Sequence, residues 1–181
     1  MMDPQLQERA SRIRLLLMDV DGMLTDGLLY NVPASEGQII ETKAFNAQDG
    51  IALQWMAWNG IQTGVISGRV SKAMEVRAAQ VGMTYVYQGH IEKVPVLDEI
   101  MKRSGLELGA VAYAGDDLTD VPILRRVGLA FAPANARPEV KRCAHYVTAT
   151  AGGAGAVREI AEILLQAQGY WDGLLKKYEV E

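Results

Sequence analysis

Short apolar runs alternate with longer segments of helical period along most of this 181-residue chain, and that alternation limits the folds open to it. Residues 15–20, 64–67, 85–87, 111–114, 129–132 and 146–148 read as strands. Most are continuous β-rich runs, the pattern of strands buried on both faces of a parallel sheet. Between them Val94, Leu97, Ile100, Met101 and Ser104 recur at helical spacing, as do Val157, Ile160, Ala161 and Leu164. After Gly50 a further helical segment carries Ile51, Leu53, Trp55, Met56 and Trp58, which predicts burial on more than one side. The alternation predicts right-handed crossover units and an α/β fold, a Rossmann-like open parallel sheet flanked by helices. The length suits one domain over residues 1–181, and 49% apolar residues can fill its core.

One stretch interrupts the alternation. Residues 28–30 and 38–45, joined across Asn31-Val32-Pro33-Ala34-Ser35-Glu36-Gly37, read as a β-hairpin inserted after the first strand, about 28–45 in all. It is too short for a large cap domain. A lone hairpin is marginal in water, so it is expected to pack on the body or on another subunit. The C-terminal tail, about 170–181, mixes polar and aromatic residues without a readable period.

Chemistry concentrates where strands end. In Leu17-Met18-Asp19-Val20-Asp21-Gly22 a buried strand runs into two carboxylates two apart. Ligands of open α/β sheets bind beyond the carboxyl ends of the strands. Asp19 and Asp21 repel each other there unless a cation lies between them, which points to a hard metal such as Mg²⁺. A turn that merely closes the strand is the plainer alternative. Gly115-Asp116-Asp117-Leu118-Thr119-Asp120 again follows an apolar strand. Helix capping accounts for one of its aspartates but hardly for three. Ser67-Gly68-Arg69 ends another strand, where a hydroxyl and turn amides suit a phosphate oxygen. Lys93 opens a helix, an unfavourable place for a cation unless an anion sits between it and Ser67.

In that order, these four segments resemble the four motifs of haloacid dehalogenase phosphatases, over roughly residues 14–120. Lys43-Ala44-Phe45-Asn46, Asp49-Gly50, Gln88-Gly89 and Gly152-Gly153-Ala154-Gly155-Ala156-Val157-Arg158-Glu159 look like the capless 3-deoxy-D-manno-octulosonate 8-phosphate phosphatases, extending the likeness to nearly the whole chain. The resemblance implies an in-line attack by Asp19 that forms an aspartyl-phosphate, with Asp21 as acid and then base. It implies that Ser67 and Lys93 neutralise the phosphoryl oxygens. Mg²⁺ would lie among Asp19, the Asp21 carbonyl and Asp116, with Asp117 or Asp120 orienting bound waters. Asn46, Asp49 and Gly50 would line the sugar pocket, with Arg69 and Arg77 facing the sugar acid. Arg69 and Arg77 share one side of a helix if it begins near Val70. A homotetramer is implied, and Arg158 is expected to reach a neighbour's site from the tail region. Three positions depart from common family choices: Ser67 keeps the hydroxyl, while Gln54 and Ala154 replace basic residues and touch the choice of sugar.

Other classes fit less well. A phosphoacceptor signalling domain needs an Asp after its third strand, where this chain has Tyr87-Gln88-Gly89. Gly22 and Gly27 do not make a dinucleotide fingerprint. A catalytically silent interaction subunit conflicts with four intact motifs. The nearest enzyme alternative is a phosphatase for a nine-carbon deaminated sialic acid 9-phosphate. The formal charge of −4 disfavours a nucleic-acid partner. The lone Cys143, the polar start Met1-Met2-Asp3-Pro4-Gln5 and the lack of a long apolar run lead to the expectation of a cytoplasmic protein without a membrane partner.

Overall fold

A computed structural model describes residues 2–180; Met1 and Glu181, at the limits of the expected domain and tail, lie outside the described residues. Helix α1 (Pro4–Ser11) starts on Asp3, whose carboxylate accepts from the amides of Gln5 and Leu6. Then follow β1 (Leu15–Met18), the hairpin strands β2 (Tyr30–Pro33) and β3 (Ile39–Thr42), α2 (Ala47–Trp58), β4 (Gln62–Ser67) and α3 (Lys72–Val81). The second half runs through β5 (Tyr85–Gln88), α4 (Val94–Ser104), β6 (Val111–Ala114), α5 (Val121–Leu124), β7 (Leu129–Ala132) and α6 (Pro138–Lys141). It ends with β8 (Tyr146–Val147), α7 (Ala156–Ala167) and α8 (Trp171–Lys177).

Six strands form one parallel sheet in the order β5-β4-β1-β6-β7-β8. Side-chain alternation explains why its strands are apolar throughout. Leu16 and Met18 face the cluster built with α1, α2 and α7, while Leu15 and Leu17 face the one built with α4 and α5. Each such leucine, fully buried, contributes about 1.5–3 kcal/mol. Since β1 lies between β4 and β6, the residues following these three strands converge on one crevice.

The hairpin forms a separate two-stranded sheet, and no large cap domain is present among the described residues. Its register pairs Tyr30 with Thr42 and Pro33 with Ile39, so residues 31–33 are strand rather than connection. Pro33 is tolerated because this short strand has a free edge, where a missing N–H breaks no ladder. The turn tightens through Ser35–Gly37, and Gly37 takes a φ of 74°. Leu28, Leu29, Val32, Ile39 and Ile40 are exposed, so of the two sequence expectations the hairpin meets the first in part: it touches the body through ion pairs of Glu41 with Arg69 and Lys43 with Asp21, while its apolar face is left bare.

Three further expectations are corrected. Helix α2 begins at Ala47, before Gly50, because the Asn46 side chain accepts from the amides of Gln48 and Asp49. Ala52, Leu53, Trp55 and Met56 are buried, but Trp58 is 55% exposed, with the Lys177 ammonium 3.9 Å from its ring centre. Helix α3 starts at Lys72, not near Val70, so Arg69 lies on the preceding loop and shares no helical face with Arg77. The unreadable tail holds α8, a helix too short for periodicity to reveal. Leu174 buries it, and the Trp55 indole donates to the Tyr178 hydroxyl at 3.1 Å.

Candidate active site

Asp19 follows β1 directly, and its amide still donates to Ala114 of the neighbouring strand at 2.9 Å. The carboxylate is thereby held at the carboxyl end of an interior strand of the sheet. The Lys93 ammonium donates to Asp19 Oδ1 and to Asp120 Oδ1, both at 2.7 Å, and lies 3.3 Å from the Tyr113 hydroxyl. Lys93 is the residue before α4, as expected, and is only 4% exposed. A buried ammonium between two carboxylates resolves its awkward place at a helix start. Burial works against its charge, yet Asp120 and Asp19 outweigh burial and hold its pKa above the ordinary value.

Asp120, one of the two residues expected to orient metal-bound water, is held from all sides by the protein. It is 0% exposed, and its oxygens are engaged by Lys93, the Tyr113 hydroxyl at 2.7 Å and the amides of Asp116 and Asp117. Those partners make Asp120 the brace of the loop after β6. A Cβ on Gly115 would come within 2.3 Å of the Asp120 carboxyl carbon, which accounts for glycine there. Asp117 is exposed and caps the turn through Leu118, at the mouth of the crevice.

Asp19, Asp21, Ser67, Arg69, Lys93, Asp116 and Asp117 together line a crevice of about 310 Å³. A larger hollow of about 430 Å³ between α1 and α7 contains none of these carboxylates and carries no comparable chemistry. Burial, then repulsion from Asp120, pushes Asp19 up to about 6 despite Lys93. Burial, then repulsion from Asp19 and Asp120, pushes Asp116 up to about 7. Asp116 Oδ1 is buried without a hydrogen-bond partner. Carboxylate oxygens of Asp19, Asp116 and Asp120 lie within 4.8 Å of one another. The orphaned Asp116 oxygen, crowded against the hard oxygen donors of Asp19 and Asp120, fits a divalent cation, whose charge would reverse both shifts. Gly22, at φ 88°, leaves the room this needs, since a Cβ there would stand 2.1 Å from Asp116 Oδ2.

The residues assigned to the sugar pocket divide. Arg69 reaches the crevice, paired with Glu41 and 3.9 Å from Asp21 Oδ2. Asn46 stands half-buried at the foot of the hairpin as the cap of α2. Asp49 and Gly50 do not line the crevice. Asp49 is 1% exposed and accepts from the Arg158 amide at 2.8 Å, tying α2 to the start of α7. Gly50 makes room for Arg77, whose Nη2 would lie 1.9 Å from an added Cβ, and Arg77 itself donates to the Asn46 carbonyl at 3.0 Å. Arg158 is engaged within its own subunit, stacked 4.1 Å from the centre of Trp55 and paired with Glu162. Gly152 and Gly153 likewise dock on their own chain: a Cβ on Gly152 would stand 1.8 Å from the Gly22 carbonyl, and the Gly153 amide donates to Met23 at 3.1 Å.

Sequence reasoning missed the part of Tyr113, hidden in an apolar strand, and that of Lys43, which pairs with Asp21. A lysine in the Lys43-Ala44-Phe45-Asn46 segment was the available signal for the second. His145 accepts from the Ala130 amide at 2.9 Å, a structural role. Asp49 supplies a testable pH effect. Burial raises its pKa to about 6, against the Arg158 amide and the charges of Arg77 and Arg158. The folded state therefore holds this proton more tightly than the unfolded chain, and the associated stability is lost as pH rises through about 6. Asp49→Asn keeps the acceptor oxygen without the charge. Its melting temperature relative to the parent should rise by about 2–6 °C between pH 4 and pH 7. A difference that stays flat across that range would show Asp49 does not titrate in this way.

Strand-end aspartates, a buried lysine and a hydroxyl around one crevice of an open parallel sheet define a haloacid dehalogenase-like hydrolase. Residues 64–160 match the family model described as haloacid dehalogenase-like hydrolase. The chain is 41% identical over 93% of its length to the 3-deoxy-D-manno-octulosonate 8-phosphate phosphatase KdsC of Salmonella typhimurium, covering 88% of that protein. The Yersinia pestis enzyme of the same name is similar in structure at 40% identity and a TM-score of 0.89, covering 95% of this chain and 91% of that one. The Moraxella catarrhalis enzyme, solved with magnesium, phosphate and KDO, matches at 37% identity and a TM-score of 0.91, over 98% and 99% of the two chains. The chain belongs to the 3-deoxy-D-manno-octulosonate 8-phosphate phosphatase family.

Proposed function

We propose that this protein hydrolyses 3-deoxy-D-manno-octulosonate 8-phosphate to the free sugar acid and phosphate, in lipopolysaccharide precursor synthesis in the cytoplasm, with Mg²⁺ as its cation. The observation that carries this reading is the crevice, where Asp19, Asp116, Ser67 and Lys93 converge. The family's 3-deoxy-D-manno-octulosonate 8-phosphate phosphatases and the magnesium, phosphate and KDO held by the Moraxella catarrhalis relative support the choice of substrate and metal. No helix among the described residues is long and apolar enough to cross a membrane.

Asp19 attacks phosphorus while the bond from phosphorus to the sugar oxygen breaks, leaving an aspartyl-phosphate. The departing oxygen takes a proton from Asp21. Asp21 then removes a proton from a water that attacks phosphorus, releasing phosphate and restoring Asp19. Ser67 and Lys93 face the phosphoryl oxygens and stabilise their charge. Asp19, Asp116 and the Asp21 carbonyl would hold the cation, which would supply the positive charge without which these carboxylates would repel the phosphate. Arg69, on the rim, meets the sugar carboxylate in place of Glu41.

Steady-state assays on this sugar phosphate and on the nine-carbon deaminated sialic acid 9-phosphate test the assignment. At least a tenfold preference in kcat/KM for the eight-carbon ester is expected; the opposite preference transfers the protein to the other substrate. The exposed apolar hairpin supports a homotetramer built through Leu28, Leu29, Val32, Ile39 and Ile40. Light scattering should give four chains per particle, and a monomer would end that part of the reading.

A further inference from the structure

We infer that Lys43 is a positioning residue for Asp21, so that the hairpin is part of the catalytic apparatus and not only an assembly surface. The inference rests on the phosphatase reading above. Successive side chains of an extended segment point to opposite sides, so Glu41 in β3 and Lys43, one residue past its end, point the same way. Both point to the crevice: Glu41 pairs with Arg69 and Lys43 pairs with Asp21. The Lys43 side chain is only 3% exposed, with Glu41 3.7 Å away as a second acidic neighbour. An ammonium is withdrawn from water at this cost only where a carboxylate compensates it. The strands are otherwise largely exposed, so these two ion pairs join them to the crevice, while Phe45, past the end of β3, packs against the core.

The contact is specific in its geometry. Lys43 takes Asp21 Oδ1, while Oδ2 has no hydrogen bond among the described residues and lies 3.9 Å from Arg69 Nε. Fixing one oxygen fixes the rotamer and leaves the other to meet the departing sugar oxygen. Free rotation of Asp21 would scatter that donor over several rotamers, only one of which reaches the leaving group. The proton passes from Asp21 to the sugar oxygen as the P–O bond breaks, and Lys43 exchanges none.

The test exploits leaving groups. A sugar alkoxide needs a proton to leave, whereas p-nitrophenolate leaves readily without one. kcat/KM reports steps only up to phosphoryl transfer, before Asp21 acts as base. For Lys43→Met, kcat/KM on 3-deoxy-D-manno-octulosonate 8-phosphate should fall about 10–10²-fold, part of the 10²–10⁴-fold that acid–base help supplies. Its ratio to the value on p-nitrophenyl phosphate should fall about tenfold or more. Lys43→Gln keeps a donor of similar reach and should give a smaller change in the ratio; it also serves if the methionine variant does not fold. Equal losses on both esters would mean a merely structural role and overturn the inference, as would no loss on either. A parent protein that cleaves neither ester, or only the aryl ester, removes the phosphatase assignment or its sugar substrate, and the role of Lys43 with it. The parent's own activities thus separate a failure of the inference from a failure of the reading beneath it.

Discussion

Asp19→Asn should lower phosphate release by about 10⁴-fold or more, the scale of loss when a covalent nucleophile is removed. The amide has nearly the shape of the carboxylate and can still accept from Lys93, which now donates to Asp19 Oδ1 at 2.7 Å. It cannot form the acyl phosphate. The fold should not suffer. Burial and Asp120 push Asp19 up to about 6, so near pH 7.5 the ionised side chain opposes folding in the metal-free protein. Removing its charge should therefore leave the metal-free melting temperature equal to or above that of the parent, a common trade at functional sites. Mass spectrometry of acid-quenched protein should find phosphate on the parent's Asp19 peptide and none on the variant's. Turnover by the variant within tenfold of the parent would end the covalent mechanism.

Metal removal should have an effect of similar size. Chelation leaves Asp19 and Asp116 on the crevice wall, crowded with the buried Asp120 within 4.8 Å and facing any incoming phosphate with like charge. Phosphate release should drop to background and return with Mg²⁺. Ca²⁺ should restore little, because its larger size and looser coordination position the reactants poorly. Binding has its own readout. A ligand that prefers the folded state stabilises it, by about 2.7 kcal/mol at a hundred times its Kd, so Mg²⁺ should raise the melting temperature. That rise should shrink as pH falls below about 7, because protons held by Asp116 and, near 6, by Asp19 must first be displaced. Full activity after exhaustive chelation, or a melting temperature indifferent to Mg²⁺, would mean that the acidic cluster serves something else.

Residues with local causes were legible in the chain. The apolar runs predicted all six parallel strands, because burial on both faces demands apolar residues in sequence. The strand ends marked Asp19, Ser67 and Asp116, because ligands of such sheets bind there. The odd placement of Lys93 at a helix start was legible too, although the anions that the structure sets against it are Asp19 and Asp120 and not one shared with Ser67. Boundaries set by capping were less visible. Asn46 starts α2 one turn earlier than the hydrophobic pattern suggested, and α3 starts later, which separated Arg69 from Arg77.

What the sequence by itself determined is therefore the class of fold, the places of its strands along the chain and the acidic groups brought to their ends. Those follow from patterns only a few residues long. The division of labour among those groups needed the tertiary structure, because it depends on partners far away in sequence. Asp120 is a brace because Lys93 and Tyr113 meet it, and Asp49 is a tie between helices because α7 begins above it. Gly50 serves Arg77, 27 positions on, and Lys43 reaches Asp21, 22 positions back, only because the hairpin folds over the first loop. A side chain's type states which bonds it can make; its depth and neighbours, set by packing, decide which it does.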